Sequence, residues 1–402
     1  MSETTPPTPE NGDTSQQWLA DFSSISKDDM VRGGTPADIE ARCLSLVQSY
    51  IGGSWANATS PADITVRRIS GGFTNQLYHV QLKESVPKAE NPIYQEEEEP
   101  TEVAIKLYQS KHIKNYHPDD PERLNDTVVL NVMSQTGLGP KVYGIFADGF
   151  IQAYHQHEQF RGRHMEQPAL RRQLMTLLAN IAHLQVPIRK EPDLILQWCR
   201  DFISYGYEHF DVLALAKELK LKYLSTVDVL VEFDALVVRI KALKSPLVFA
   251  HNDFRGSNLL VTQGKDKTEI FACDLEHAGY GSRGYDLATI FWEWGQKEVL
   301  DMTAPPPTDE NLTDLLTTYI ECCDEVSPGY SSRPENSLEA HAREVKLNNL
   351  FNVLFFAGFL IGQKEVLIAT MPIDRKKNLA FAETMFERFL QSKAIAIEKG
   401  WY

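Results

Sequence analysis

The sequence predicts an α+β fold in two lobes, a small N-terminal lobe built on an antiparallel sheet and a larger, mainly helical C-terminal lobe. Three observations carry that expectation. A chain of 402 residues with 43% hydrophobic and 24% charged residues is ordinary in composition for a globular protein but long for one core. Alternating apolar patterns of strand type are concentrated between Ile64 and Tyr154, and helical patterns dominate from Pro168 onward. Within the helical half one stretch, Leu247 to Cys273, returns to short strands separated by a polar loop.

Residues 1–34, rich in Thr, Pro, Ser, Asp and Glu, read as a disordered tail; 35–150 as the N-terminal lobe; 151–402 as the C-terminal lobe. From Pro36, Ile39, Cys43, Leu44, Val47 and Ile51 share one helical face, which breaks at Gly52-Gly53. Ile64 to Leu82 reads as two strands around Ser70, Gly71, Gly72, Phe73, Thr74, Asn75 and Gln76. There the glycines let backbone approach a phosphate, although many such pairs are plain hairpins. Glu84 to Thr101, with glutamates at 96–99, is a solvated insertion, and Glu102 to Tyr108 (EVAIKLY) is a strand carrying Lys106. A helix over about Arg123 to Gln135 ends at Gly137, and strands follow at Val142 to Phe146 and Phe150 to Tyr154. His155, His157 and His164 lack a carboxylate or cysteine at ligand spacing and read as solvated linker residues. Leu174, Leu177, Leu178, Ile181 and Leu184, then Leu213 to Tyr223 and Val227 to Leu243, make apolar helical faces.

The chemistry is concentrated in Leu247 to Gln296. An apolar run ends in His251-Asn252-Asp253, Asn258 follows five positions after the aspartate, and the next strand delivers Asp274. These side chains could merely cap turns. Together with Lys106 they suit phosphoryl transfer, in which a protein positions a hydroxyl and neutralises charge on a triphosphate. Asp253 would accept the hydroxyl proton, Asn258 and Asp274 would hold Mg2+, and Lys106 would steady the phosphates of ATP.

HNDFRGSN, CDLEHAGYGSRGYDLA and WEW, with V-A-I-K at Lys106, resemble the choline/ethanolamine kinase family. The likeness runs from about Ile64 onward and implies a protein-kinase-like fold. It also implies ATP-dependent phosphorylation of choline or ethanolamine, the first step of CDP-choline and CDP-ethanolamine phospholipid synthesis. It places Asp126 where the family has the glutamate paired with Lys106, one methylene shorter and so in a looser, water-bridged or shifted pair, with Glu122 as the substitute. The backbone of Gln152, Ala153 and Tyr154 becomes the adenine contact, and Asp286 the acceptor of catalytic-loop amides. Arg255 stands at a nucleotide-side position where the family has glutamine. Glu276 is assigned to metal or substrate, and Glu293, Tyr280 and Phe359 to the substrate amine. The family's W-G-x-W pair that boxes the headgroup is missing: aligned on Gly358, the positions hold Ala357 and Leu360. Phe355, Phe356 and Phe359 would either rebuild an aromatic wall or serve the core. A kinase of another small amino alcohol, or a nucleotide-binding scaffold, are the other readings. Asp274-Leu275-Glu276 in place of D-F-G argues against a protein kinase.

A net charge of -15, from 40 basic and 55 acidic residues, argues against nucleic acid and is compatible with a cationic substrate. Five scattered cysteines suggest neither a disulfide framework nor zinc. The first residues lack a basic and apolar leader, and the apolar run Leu350 to Ile361 falls short of the ~20 residues of a membrane span. A cytoplasmic location is expected, with a homodimer compatible.

Overall fold

The computed structural model describes residues 35–69, 75–90, 99–108, 124–190, 194–263, 268–297, 306–363 and 375–402. The tail 1–34, the loop Ser70 to Thr74 and Glu122 lie outside these residues.

The N-terminal lobe is a five-stranded sheet in the order β1-β2-β3-β5-β4, every pair antiparallel. Its strands are β1 (Ile64–Ile69), β2 (Gln76–Leu82), β3 (Glu102–Leu107), β4 (Val142–Phe146) and β5 (Gly149–Ala153). Helix α1 (Ile39–Tyr50) buries Ile39, Cys43, Leu44 and Val47, the face its periodicity marks, against Trp55, Tyr78, Ile105 and Ile151. It stops where Gly52 and Gly53 take φ of 68° and 54°, the left-handed region that glycine enters at no steric cost. The sheet extends past the expected boundary at residue 150, because β5 runs to Ala153 as the strand between β3 and β4. Helix α2 (Leu124–Gln135) follows β3 and packs against β4 and against the turn Leu275–His277 of the other lobe. At the end of the acidic insertion Glu99 is not simply solvated: its carboxylate accepts from the Ser54 amide at 2.6 Å and hydroxyl at 2.5 Å.

In the C-terminal lobe β6 (His157–Gln159) pairs with β8 (Leu259–Gln263), which pairs with β9 (Thr268–Ala272), while β7 (Leu247–Ala250) pairs with β10 (Gly279–Ser282). The helices are α3 (Gly162–Met165), α4 (Pro168–His183), α5 (Leu194–His209), α6 (Val212–Glu218), α7 (Val229–Ala242), α8 (Arg283–Trp292), α9 (Asp309–Val326), α10 (Leu338–Gly362) and α11 (Arg375–Glu398). They form two cores, one uniting α4 and α9 with the small sheets, the other uniting α5, α7, α10 and α11.

Helix α8 lies between the two cores, giving Leu287, Ala288, Ile290 and Phe291 to the first and Tyr285 to the second. Its first turn is fastened by Arg283, which donates to both carboxylate oxygens of Glu344 at 2.8 and 2.9 Å, to the Tyr330 hydroxyl at 2.8 Å and to Asn336 Oδ1 at 2.6 Å. A buried guanidinium survives only when paired and bonded this fully. His341 completes the cluster, its Nδ1–H donating to the Ser337 carbonyl at 2.9 Å and Nε2 accepting from Tyr330 at 3.0 Å. Burial, and the neighbouring Arg283, lower the His341 pKa to about 4 and keep the ring neutral.

Helix α10, at 25 residues, is long and apolar enough to cross a membrane, yet 72% of its most apolar window is buried inside the protein, as befits a core helix. It comes so close to α5 that a Cβ on Gly358 would lie 2.7 Å from Ile203 Cγ1.

Candidate active site

Two loops supply the polar centre. The first joins β7 to β8 and carries Asp253 and Asn258; the second follows β9 and carries Asp274. The loops are bonded to each other, the Cys273 amide donating to the Asn258 carbonyl at 2.9 Å and His251 Nε2–H to the Cys273 carbonyl at 2.9 Å. Asn258 Nδ2 donates to Asp253 Oδ2 at 2.7 Å and to the Asp253 carbonyl at 3.0 Å, which fixes the carboxylate and turns the amide oxygen the other way.

Across the lobes Lys106 Nζ meets Asp274 Oδ1 at 2.7 Å. Burial alone would lower the lysine pKa, but Asp274 and Glu276 outweigh it and hold the ammonium above its ordinary value. The expected pairing with Asp126 is therefore corrected. Asp126 is buried in the first turn of α2, but the carboxylate that meets Lys106 is Asp274. An aspartate is one methylene shorter than the glutamate it replaces, and Asp274 stands closer. A second tie between the lobes runs from Asn75 Nδ2 to Glu276 Oε2 at 3.0 Å. The structure thus brings together Asn75, Lys106, Asp253, Asn258, Asp274 and Glu276.

Helix α8 braces the catalytic loop at both of its ends. Asp286, in its first turn, accepts the amides of His251 at 2.7 Å and Asn252 at 2.9 Å, as the resemblance implies. The helix cap itself is Ser282. Burial pushes Asp286 up to about 6, against the pull of His251 and the two amides. At the other end Glu293 Oε2 accepts the Gly256 amide at 2.6 Å. One oxygen of the carboxylate assigned to the substrate cation is thus engaged by the catalytic loop. Burial raises its pKa, while Arg255 and that amide oppose the rise. A Cβ on Gly256 would lie 2.3 Å from the Phe160 carbonyl and 3.0 Å from Glu293 Oε2, so the loop comes this close only with glycine there.

Tyr280 is likewise not available to a substrate. Its hydroxyl donates to the Val186 carbonyl and accepts the Val186 amide, both at 3.0 Å, and its ring packs edge-on to Phe249. It fastens the end of α4 to β10. At the junction of the lobes the Ala153 amide is committed to the Lys141 carbonyl at 2.7 Å, and Gln152 pairs within the sheet. The Tyr154 ring, on the next residue, lies tilted against His79 with centroids 3.9 Å apart, and His155 stacks on Phe271 at 4.8 Å.

Of the two readings of Phe355, Phe356 and Phe359, aromatic wall or core, the structure packs Phe355 and Phe356 against the second core. Ala357 and Leu360, the positions assigned to the missing tryptophans, point into the core at 0% and 4% exposure, whereas Phe355, Phe356 and Phe359 are half-buried. Phe356 and Phe359, three residues apart, stack at 6.4 Å, and Phe359 meets Phe202 of α5 edge-on at 5.4 Å. One turn earlier on α5, Trp198 packs edge-on against His277 at 4.9 Å. His277 is held in turn by Asn252 Nδ2, which donates to its carbonyl at 3.0 Å. Helix α5 therefore spans from the two catalytic loops to the phenylalanine pair.

Comparison with known proteins identifies the fold and the family. A family profile described as choline/ethanolamine kinase matches residues 66–397. A human choline/ethanolamine kinase is 24% identical over 371 residues, spanning 89% of this chain and 87% of the relative. Choline kinase A2 of Caenorhabditis elegans is 26% identical over 326 residues, 71% of this chain and 72% of the relative. Among solved structures, a choline kinase from Cryptosporidium parvum superposes with a TM-score of 0.65 at 19% identity, covering 90% of this chain and 97% of its own. A Plasmodium vivax ethanolamine kinase superposes at 0.63 and 15%, covering 98% and 99%.

Proposed function

The chain belongs to the choline/ethanolamine kinase family, and on that premise we propose that it transfers the γ-phosphoryl group of ATP to the hydroxyl of choline or ethanolamine. The observation that carries the reading is the pairing of a fixed carboxylate, Asp253 held by Asn258, with a carboxylate–lysine bridge, Asp274 to Lys106, at the meeting of the two lobes.

Each residue has a part that its surroundings support. Asp253 accepts the proton of the substrate hydroxyl as the new O–P bond forms and the bond from phosphorus to the departing ADP oxygen breaks. Lys106 is held charged for the phosphates. Asn258 Oδ1 and Asp274 are hard oxygen donors of the kind magnesium takes. Asn258 spends its nitrogen on Asp253, and the hydrogen bond of Asp274 engages Oδ1, so both keep an oxygen for a cation. Bound there, Mg2+ would neutralise phosphate charge. Phe356, Phe359 and Phe202 support an amine pocket: a cation held against aromatic faces gains about 0.5–2 kcal/mol. Phenylalanine is a weaker face than the tryptophan it replaces, so the headgroup is best identified by comparing ethanolamine with its methylated forms.

The test is a steady-state assay with MgATP across that series and unrelated amino alcohols, following ADP and the phosphate ester. Amine-dependent ester formation with choline or ethanolamine is the expected outcome. If MgATP raises the Tm while neither amine is phosphorylated, the acceptor assignment is wrong.

A further inference from the structure

The resemblance assigns Glu276 to metal or substrate; the structure gives its carboxylate a different partner. The side chain is 9% exposed, and Oε2 accepts from Nδ2 of Asn75 at 3.0 Å, across the boundary between the lobes. Asn75 is itself buried, immediately before β2, and that strand sets Leu77 opposite Lys106 of β3. The two ties between the lobes therefore leave neighbouring strands and land two residues apart, Lys106 on Asp274 and Asn75 on Glu276. The turn that receives the second, Leu275–His277, also packs against α2 of the N-terminal lobe.

The ties differ in what the reaction asks of them. Lys106 steadies the phosphates and Asp274 holds Mg2+, so their bond to each other competes with their chemistry. The bond from Asn75 to Glu276 joins a neutral amide to a carboxylate, a charge-assisted hydrogen bond in a buried place, and takes nothing from the reacting groups.

We infer that Glu276 is a positioning residue: through Asn75 it holds the sheet of the N-terminal lobe in register over the catalytic loops during phosphoryl transfer, and it neither ligates the metal nor meets the amine. This role rests on the kinase reading above. Lys106 holds the nucleotide from one lobe and Asp253 meets the hydroxyl from the other. Any slip between the lobes thus enters directly into the distance from the attacking oxygen to phosphorus, where a misplacement of about 1 Å costs about 100-fold in rate.

The test is a cycle of Glu276→Ala, Asn75→Ala and the double variant, together with Glu276→Gln, which keeps an oxygen for Asn75 and gives up the charge that a metal or an amine would need. Kinetics gives kcat, both KM values and the Mg2+ concentration for half-maximal rate, and urea unfolding reports the pair without substrates. Each alanine variant is expected to lower kcat about 30-fold, and the double variant to fall no more than about threefold below either. Both KM values and the Mg2+ requirement should stay within about threefold, and Glu276→Gln should recover most of the loss. The inference is overturned if the two losses multiply, if Glu276→Gln loses as much as Glu276→Ala, if the Mg2+ requirement rises more than about tenfold, or if the loss lies in either KM. If the wild-type chain phosphorylates neither amine, the acceptor reading fails by itself. The same cycle read in urea midpoints then decides the clasp: overlapping shifts support it, and shifts that add overturn it.

Discussion

The two halves of the site are built on different principles. Around Asp253 and Asp274, charged and amide groups are fixed one by one: Asn258 on Asp253, Lys106 on Asp274, Asp286 and Glu293 on loop amides, every bond between 2.6 and 3.0 Å. Around Phe202, Phe356 and Phe359 there is only ring packing, with centroids 5.4 and 6.4 Å apart. Proton transfer and charge neutralisation demand particular atoms at particular places, so the first half tolerates few side chains. Enclosing an amine demands a shape and a polarisable surface, which several side-chain sets can supply. Motif reading is accordingly strong for one half and weak for the other.

Four substitutions, and a fifth as a control, break or sharpen this contrast. The largest effect is expected for Asp253→Ala: kcat should fall by a factor of about 1,000 or more with little change in the KM for ATP. A loss below about tenfold would remove the residue from its role. Asp286→Ala frees the amides of His251 and Asn252 and should lower kcat about 100-fold, because the loop that aims the base is no longer held. Chemical denaturation of the same variant separates this from loss of fold, and an unchanged kcat would show that Asp286 serves packing alone.

The next effect concerns the support beneath α8. In the folded chain His341 titrates near 4, against an ordinary value of 6.5, so below pH 6.5 the unfolded chain takes up a proton that the folded one refuses. Stability is therefore complete above about pH 6.5 and is lost as pH falls toward 4, by about 2–3 kcal/mol. Asp286, raised from 3.8 to about 6, acts in the opposite sense over an overlapping range. The quantity to measure is thus the difference in urea stability between the wild type and His341→Gln at pH 5 and pH 7.5. An equal difference at both would refute the assignment. The smallest effect belongs to the aromatic half. Phe359→Ala should raise the amine KM about tenfold, leaving kcat and the KM for ATP nearly unchanged. Leu360→Ala is its control and should alter the Tm without altering KM, because Leu360 faces the core.

Much of the fold was readable because periodicity reports burial directly: the apolar faces of α1 and α4 and the strand pattern of β1 to β3 are where the sequence places them. The meeting of Lys106 with Asp274 and of Asp253 with Asn258 was readable from residue identity and spacing, and the Asp286 contact from the family resemblance. The partners of other side chains were not. Nothing in the sequence around Glu293 distinguishes a substrate cation from the Gly256 amide, and nothing around Tyr280 shows that Val186, 94 positions away, occupies its hydroxyl. Gly358 was read as part of a motif whose tryptophans are missing here. Its role is to let α10 approach Ile203 of α5, a contact between distant segments that leaves no local pattern.

Two residues of the chemical centre other than glycine hold the backbone in the left-handed region, Asn252 and Asp274, each with φ of 60°. Asparagine and aspartate tolerate this better than most residues, but each still stores about 1 kcal/mol that the surrounding packing must retain. One lies on each catalytic loop, so part of the tension sits where the reacting groups are aimed, while Lys220 and Lys244 hold φ of 55° and 50° elsewhere. On heating, the catalytic loops gain by relaxing. Turnover should fade some degrees before the cores melt, and the enzyme would become idle while most of its architecture is still standing.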